Sequence, residues 1–546
     1  MNYIEKIKIV NYKCFKDFSL ELTNGINIIV GNNESGKSTI LEAIHLVLSG
    51  LLCGKYLKNE LSQYIFNKDI EKEYIDSLVS EKATFQKVPP YVLIEIFFAG
   101  NDLPLFEGDG NSSEKKASGL SLKIEFDSEF QDEYEELIKE KITTIPIEYY
   151  KLTWRSFARD VVSIRSIPIK SVLIDSSSSR FQNGSDVYIS KIIKEDLEKK
   201  EIVGLSQAFR KLRESFMIDG SIEALNKKIT TNADISAKAV SISVDFSAKN
   251  SWETYLMTYL DDIPFHQIGK GEQCLIKTNL ALAQEKTKES NLILFEEPEN
   301  HLSYSKLNKT ISRIKDKCEG KQIIITTHSN FVANKLGLKN LILLNNQKEM
   351  RLTNLSKDTY EYFEKLPGYD TLRLILCKKA ILVEGPSDEL IIQRAFMDKN
   401  NGLLPIDKEI DVITVRGLAF KRFLDIAKTI EKQTAVVTDN DGNFKTNVTD
   451  KYKAYENFKL IKIFADNRDE LKTLEPQIVD ANKANLKLFC EILGIKESKY
   501  NNERLIVDYM SKKDNKTDCA LKIFNAKKYI TFPQYINDVI NWCNEK

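Results

Sequence analysis

Along the first thirty residues, apolar and polar positions alternate: Ile7 and Ile9, then Phe18, Leu20 and Leu22. That period of two predicts a hairpin. It feeds a continuous apolar run, Ile26, Ile28, Ile29 and Val30, which reads as a buried strand ending at Gly31. Ile40, Leu41, Ile44 and Leu48 then recur at helical spacing to about Leu52. Residues 55–88 are charged and mostly helical in pattern. Pro89-Pro90 breaks it, and Tyr91 to Phe98 reads as a strand. Residues 100–118 read as an exposed loop, followed by a strand at Leu120–Phe126 and a helix at Glu129–Lys141. Ser176 to Ser179 open another loop, and Asp186 to Thr230 read as helices of mixed charge. Further on, apolar runs at 291–295, 322–325, 380–383, 412–415, 434–437 and 460–465 alternate with helical patterns, including Cys274–Ala283, Leu390–Phe396 and Ala419–Lys432. Strands and helices in alternation predict an α/β protein with parallel sheets. No internal repeat or long low-complexity tract interrupts the pattern.

A length of 546 residues predicts two to four domains. Lys plus Arg and Asp plus Glu number 79 each, so a nucleic-acid surface must be a local patch. None of the eight cysteines forms a CxxC pair, which argues against zinc ribbons and for a reducing, cytoplasmic setting. The chain enters a strand within a few residues of Met1, and no apolar run is long enough to cross a bilayer, so neither a signal peptide nor a membrane association is expected.

The run Gly31-Asn32-Asn33-Glu34-Ser35-Gly36-Lys37-Ser38-Thr39, between a strand and a helix, is a P-loop. Gly31 and Gly36 let backbone N–H groups curl around phosphates, with Asn33 and Thr39 inside the same cradle. Lys37 supplies charge to the β- and γ-phosphates, and Ser38 a hydroxyl to Mg²⁺. Asn291 to Phe295 form an apolar strand ending in Glu296 and Glu297, the acids of a Walker B motif. Glu296 is expected to hold Mg²⁺ and Glu297 to polarise the attacking water. The strand Gln322–Thr326 leads to His328, within reach of a γ-phosphate. Ile268-Gly269-Lys270-Gly271-Glu272-Gln273 precedes the helix before Walker B. About 250 residues separate the P-loop from Walker B, more than a minimal nucleotide-binding core needs, so residues 178–232 are read as a helical insertion used for dimerisation.

A second α/β unit follows. Its order is strand–acid (Ala380–Val383, then Glu384-Gly385-Pro386-Ser387-Asp388), strand–glycine (Val412–Val415, ending near Gly417) and strand–DxD (Thr434–Val437, then Thr438-Asp439-Asn440-Asp441). Acids at the C-terminal ends of parallel strands converge on one crevice. Glu384, Asp388, Asp439 and Asp441 therefore form a candidate Mg²⁺ or Mn²⁺ site of hard oxygen ligands.

The order P-loop, glycine-rich signature, Walker B, histidine resembles ABC-type ATPases of the SMC, RecF and OLD kind. The resemblance implies that Gly271 and its neighbours close over ATP held by another subunit. Gly269 and Lys270 replace the usual serine and glycine of that signature, so slow or regulatory ATP turnover is expected. The second unit resembles a Toprim domain, and the pair resembles the OLD (overcoming lysogenization defect) nucleases. That resemblance implies roles for Glu475, as a further metal ligand, and for Lys516, as a charge beside the scissile phosphate. Length and order also resemble the nuclease subunit of the Gabija anti-phage system. The implied domains are an ATPase over 1–177 and 233–355, the insertion over 178–232, and a Toprim domain over 356–546. The implied function is a metal-dependent endonuclease on DNA, double-stranded before single-stranded, governed by ATP and used in anti-phage defence. Its partners would be a second copy and a helicase-like or other defence protein. The alternatives are a DNA repair ATPase, an RNA-cleaving Toprim nuclease, and a nucleotide sensor without catalysis. No tyrosine has the context of a topoisomerase nucleophile.

Overall fold

The computed structural model describes residues 2–79, 89–101, 103–139, 142–175, 181–182, 185–186, 189, 197–231, 241–244, 252, 257–345, 348–352, 355–415 and 419–545. The expected loop at Ser176–Ser179, parts of the insertion, the end of the charged helical stretch and Gly417 lie outside the described residues. The chain divides into two compact units. One is Met1–Asn27 with Gly36–Thr327, the other Ile28–Ser35 with His328–Lys546.

In the first unit, β1 (Tyr3–Tyr12) and β2 (Phe15–Glu21) form the expected hairpin, with Ile7 opposite Leu20. The chain passes through β3 (Ile26–Gly31) into α1 (Lys37–Ser49), whose apolar positions Ile40, Leu41, Ile44, Val47 and Leu48 are buried. An antiparallel sheet runs β2-β1-β4-β5-β6, adding β4 (Val92–Ala99), β5 (Ala117–Phe126) and β6 (Tyr150–Ser156). The stretch expected as an exposed loop before β5 is partly built. It holds a helical turn at Pro104–Phe106 and a short strand at Glu107–Gly108 paired with β5. Phe106 anchors it by packing edge-on against Phe98. After β7 (Ser171–Asp175) come α2 (Lys199–Met217) and α3 (Gly220–Thr231), the helices expected in the insertion. The signature helix α4 (Lys270–Ala283) starts four residues before the expected Cys274, because Gly269 serves as its N-cap rather than as a breaker. Then β8 (Leu292–Glu296) and β9 (Gln322–Thr326) join β7 in a parallel sheet, β7-β8-β9. All five β8 residues except Glu296 are buried, as expected of a parallel strand covered on both faces. Helix α1 packs on this sheet.

The second unit begins with α5 (Asn330–Leu336), followed by β10 (Leu341–Asn345), which pairs in parallel with the Ile28–Gly31 segment of β3, and by β11 (Lys348–Arg351). Two connecting helices follow, α6 (Lys357–Lys365) and α7 (Thr371–Leu376). The Toprim-like core contains β12 (Lys379–Val383), α8 (Pro386–Lys399), β13 (Ile410–Thr414), α9 (Phe420–Thr429), β14 (Gln433–Val437) and β15 (Ile461–Phe464). Its four strands are all parallel, in the order β13-β12-β14-β15. Helices α10 (Leu474–Ala481) and α11 (Lys513–Phe524) pack with it, together with further helices at Leu486–Leu493, Glu503–Met510 and Gln534–Asn544 that share its core. Helix α11 packs on α8, and Arg394 of α8 donates to the carbonyls of Ile523 (3.2 Å) and Phe524 (3.0 Å) at its end. An otherwise orphaned helix C-terminus is thereby capped by a buried guanidinium.

Buried amides tie α5 to the connection that follows. Asn334 is fully buried and donates to the carbonyls of Pro367 (3.1 Å) and Tyr369 (2.9 Å), while its own oxygen accepts from the Thr371 hydroxyl (2.7 Å). Asn330 accepts from the Leu372 N–H at 2.7 Å. One residue on, Arg373 forks onto Asp411 of β13 at 3.0 and 2.5 Å. The segment after His328 is thus fastened, bond by bond, to the edge strand of the Toprim-like sheet. Replacing Asn334 by alanine leaves two carbonyls and a hydroxyl without their partner, at a cost of about 1–3 kcal/mol. A lowered urea midpoint for the transition that unfolds the second unit is the expected result.

Candidate functional site

The P-loop has the geometry that phosphate binding requires. Glu34 and Gly36 both take positive φ, 65° and 93°, which curls the loop and turns successive N–H groups inward. At Gly36 a Cβ would stand 2.3 Å from the Phe15 ring, and at Gly31 it would stand 2.8 Å from the Leu344 carbonyl, so neither position admits a side chain. The Ser35 hydroxyl is buried without a hydrogen-bond partner. An orphaned donor in a glycine cradle fits a phosphate oxygen. Asn32 and Asn33 are exposed. Thr39 accepts from the Cys14 thiol at 3.6 Å.

In the first unit, Lys37 opens α1 and is buried. Burial draws its ammonium below the ordinary lysine value, while Glu297 and Glu299 oppose that shift. Glu296 is pushed up by burial, held down by a hydrogen bond with Ser38, and pushed up further by Asp175, Glu297 and Glu42. Ser38 and Glu296, the two expected magnesium groups, are therefore in contact. Glu297 sits at φ 41° at the head of the turn, its N–H donating to the Thr326 carbonyl (3.0 Å) and its carboxylate accepting from Asn300 (2.9 Å). Gly271 packs against that turn so closely that a Cβ would lie 2.4 Å from the His301 carbonyl. Sequence reasoning missed Asp175, which ends β7 in register with Glu296.

In the second unit, His328 is exposed and lines a cleft of about 730 Å³ with Asn32, Asn330, Arg373, Lys378 and Lys432.

The Toprim-like crevice brings together five of the six residues expected there. Glu384 follows β12, Asp388 lies in the first turn of α8, Asp439 follows β14, Glu475 starts α10 and Lys516 starts α11. Asp388 is pushed up to about 7 by burial and by Glu384, with Lys516 and the Gly385 N–H opposing. Asp439 is pushed up to about 8 by burial, then by Asp388, Glu384 and Glu475, again against Lys516. Asp441 stands apart, exposed in the turn at φ 48°. The turn is built by Asn440, fully buried, which donates to the carbonyls of Asp466 (2.9 Å), Arg468 (2.9 Å) and Leu471 (3.2 Å) and accepts from Gly442 N–H (2.8 Å).

Three of the four crevice carboxylates are turned toward a protein partner. Asp388 accepts from the Gly385 N–H (3.0 Å), Glu384 from the Thr438 hydroxyl (2.6 Å), and Glu475 from the Thr473 hydroxyl (2.9 Å) while forming an ion pair with Lys516 at 2.9 Å. Among the described residues, no three His, Cys, Asp or Glu side chains are arranged around one ready-made metal position. The donor set itself fits a hard divalent cation: four carboxylates facing one lysine among the described residues, two of them driven toward the neutral form by burial and then by mutual repulsion. No helix among the described residues is long and apolar enough to cross a membrane.

Comparison with known proteins agrees with this division of labour. Residues 6–237 match the AAA domain family, and residues 375–441 match the TOPRIM domain of overcoming lysogenization defect protein-like proteins. The DNA replication and repair protein RecF of Clostridium beijerinckii is 28% identical over 91 residues, 17% of this chain and 24% of RecF. The DNA double-strand break repair Rad50 ATPase of Archaeoglobus fulgidus is 29% identical over 119 residues, 21% of this chain and 12% of Rad50. The chromosome partition protein Smc of Methanocaldococcus jannaschii is 44% identical over 62 residues, 11% of this chain and 5% of Smc. The matches thus span about a quarter or less of these relatives. Among solved structures, the SMC head domain from Thermotoga maritima is similar at a TM-score of 0.28 and 14% identity, over 63% of this chain and 97% of that one. With P-loop, signature and Walker B in its first part and an acidic crevice in its second, the chain is an ABC-type ATPase joined to an OLD-like Toprim domain, the domain pair of the OLD family.

Proposed function

We propose that this protein is a metal-dependent DNA endonuclease whose Toprim crevice cuts phosphodiesters under the control of its ATP-binding domain, in anti-phage defence of the Gabija type. The observation that carries the reading is the charge imbalance in the crevice: among the described residues, Glu384, Asp388, Asp439 and Glu475 face one cation, Lys516. A divalent cation supplies the missing charge, Mg²⁺ or Mn²⁺ given all-oxygen ligands. Held by these carboxylates, such a cation would supply activation of water and offset charge on the leaving oxygen. Lys516 holds Glu475 and presents a cation to the scissile phosphate. Asp441, on its exposed turn, is positioned to join as a ligand by rotation of its side chain or to meet the incoming backbone through a second ion.

ATP occupies the P-loop, with Lys37 on the phosphates, Ser38 and Glu296 on Mg²⁺, and Glu297 beside the attacking water. His328 reads the γ-phosphate, and Gly271 belongs to a signature that closes over a second copy's nucleotide. The domain limits follow the sequence: ATPase over 1–177 and 233–355, insertion over 178–232, Toprim over 356–546. Leu212, Phe216 and Ile218 of the insertion are 65%, 55% and 74% exposed, which supports burial against a second copy. A cytoplasmic protein with a helicase-like partner encoded nearby completes the reading.

A second reading, a DNA repair ATPase, is favoured by the likeness of the N-terminal part to RecF and Rad50. Cleavage of plasmid DNA with Mg²⁺ or Mn²⁺ separates the two. Wild-type cutting that falls by at least about 10³-fold in Asp439→Ala is expected for the nuclease, since the metal site is lost. DNA-stimulated ATP hydrolysis without cutting would select the repair ATPase, and cutting of RNA alone would move the substrate. Lys37→Ala should abolish ATP binding in a fluorescent-nucleotide titration and alter cutting only in its ATP dependence. Leu212→Asp with Phe216→Asp should shift the protein toward a monomer in sedimentation velocity.

The carboxylates also fix a pH dependence. Asp388 and Asp439 titrate at about 7 and about 8 when folded, against about 3.9 for an unfolded aspartate. Raised folded values mean stability that is present at low pH and lost as pH rises through 7 and 8. In EDTA the melting temperature should therefore fall from about pH 5 to about pH 8, at up to about 1.4 kcal/mol per pH unit for each group, and level off above the two folded values. Mn²⁺ should flatten that slope, and Asp439→Asn should flatten it without metal. A melting temperature in EDTA that rises with pH would refute the crowding.

A further inference from the structure

The metal-site reading leaves open what holds Glu384 in place. It is a glutamate, with one more side-chain bond than its aspartate neighbours, and stands just past the end of its strand. In the parallel ladder Leu382 is opposite Val436, so two residues later Glu384 comes level with Thr438 on the neighbouring strand, roughly 4.8 Å away. Thr438 is buried, at 4% exposure. Its hydroxyl donates to Glu384 Oε1 at 2.6 Å, and the Asp439 N–H donates to the same oxygen at 3.3 Å. Two donors converge on one carboxylate oxygen and leave the other for the crevice.

Behind Thr438 stands Tyr452, 3% exposed, its ring edge-on to Phe420 at 6.4 Å. Its hydroxyl is buried beside Thr438 and within electrostatic range of Glu384, yet short of full hydrogen-bond geometry with any partner. A buried hydroxyl in that position is costly unless it is used. Thr438 donates its one hydrogen to Glu384, and it is the side chain with which the Tyr452 hydroxyl interacts.

We propose that Thr438 is a positioning residue for Glu384, and that Tyr452 supports it from behind, so that one Glu384 oxygen is tethered to the strand end and the other is presented to the Asp388–Asp439 cluster. This rests on the reading of the crevice as a metal site. A tethered glutamate meets a cation through one oxygen in a fixed direction, whereas a free one rotates about three side-chain bonds. The lone pairs of Oε1, engaged by Thr438 and Asp439, are withdrawn from metal binding, which makes Glu384 a one-oxygen ligand.

The test compares Mn²⁺ binding to the full-length protein by calorimetry and by the electron paramagnetic resonance of free Mn²⁺, with melting in EDTA as the control for folding. Thr438→Val keeps the shape and removes the hydroxyl; Thr438→Ser keeps the hydroxyl. The expected result is an Mn²⁺ Kd raised about 10-fold in Thr438→Val, the lower range for losing such a partner, and returned to within about twofold in Thr438→Ser. Thr438→Ala provides the same comparison should valine not fit. Tyr452→Phe should raise Kd by about threefold while leaving the fold intact, a smaller effect than that of Thr438 because it acts through it. Wild-type binding with Thr438→Val unchanged would overturn the positioning role alone. Equal loss in Thr438→Val and Thr438→Ser would make the effect one of packing and overturn it too. Unchanged binding in Tyr452→Phe would remove Tyr452 from the arrangement. No Mn²⁺ binding by the wild type would overturn the metal reading and this role with it.

Discussion

Like charges gathered at the C-terminal end of a parallel sheet are the constraint on which the second unit depends. Four carboxylates drawn from four separate segments share one crevice with a single lysine. Removed from water, each raises the cost of ionising the next. The fold sustains this by giving three of the four acids a protein partner: a helix-start N–H for Asp388, a threonine hydroxyl for Glu384, a lysine and a second hydroxyl for Glu475. The arrangement is a compromise held by these neighbouring groups, and it is the compromise that a divalent cation would relieve. The lysine belongs to that compromise as much as to any chemistry, since it already neutralises the one acid that is most deeply buried.

The supports of the crevice lie outside it. Asn440 uses both ends of its amide to shape the turn after β14, and so decides that Asp439 points inward while Asp441 remains exposed. Arg394 closes the end of α11, which fixes the helix whose other end carries Lys516. Arg373 joins the connection after α5 to the sheet's edge through Asp411, a charge pair whose acid is buried. Such pairs are expensive to form and more expensive to break from one side, so they hold a connection to one geometry.

Much of this was legible in the sequence because buried parallel strands read as unbroken apolar runs and their acids follow immediately. The P-loop, Glu296 and Glu297, Glu384 and Asp439 all sit within two residues of the end of such a run. Asp175 ends a strand of the same kind, but the run is short and follows Pro168, so it did not stand out. The exposed loop expected before β5 proved partly built because Phe106 packs edge-on against Phe98 of β4, a contact that leaves no periodicity in the sequence. Helix α4 began early because a glycine can start a helix as readily as end one. Arg373 and Asp411 are 38 residues apart, and nothing in either neighbourhood announces the other. Thr438 was hidden differently: a threonine between a valine strand and an aspartate is ordinary strand sequence, and only the register opposite Glu384 gives it a role.

The same logic separates the two acids of the DxD turn. A turn of Asp-Asn-Asp-Gly presents two carboxylates that look equivalent in one dimension. In three dimensions the central asparagine is consumed by four backbone bonds, so the turn is rigid and its flanking acids face different surroundings, one crowded and desolvated, the other in water. Desolvation strengthens the pull of Asp439 on a cation and raises the penalty for leaving it unpaired. Asp441 carries no such penalty and is free to exchange between water and a ligand position. On the proposed metal reading, the turn would therefore offer a cation one desolvated carboxylate, Asp439, and one solvated carboxylate, Asp441.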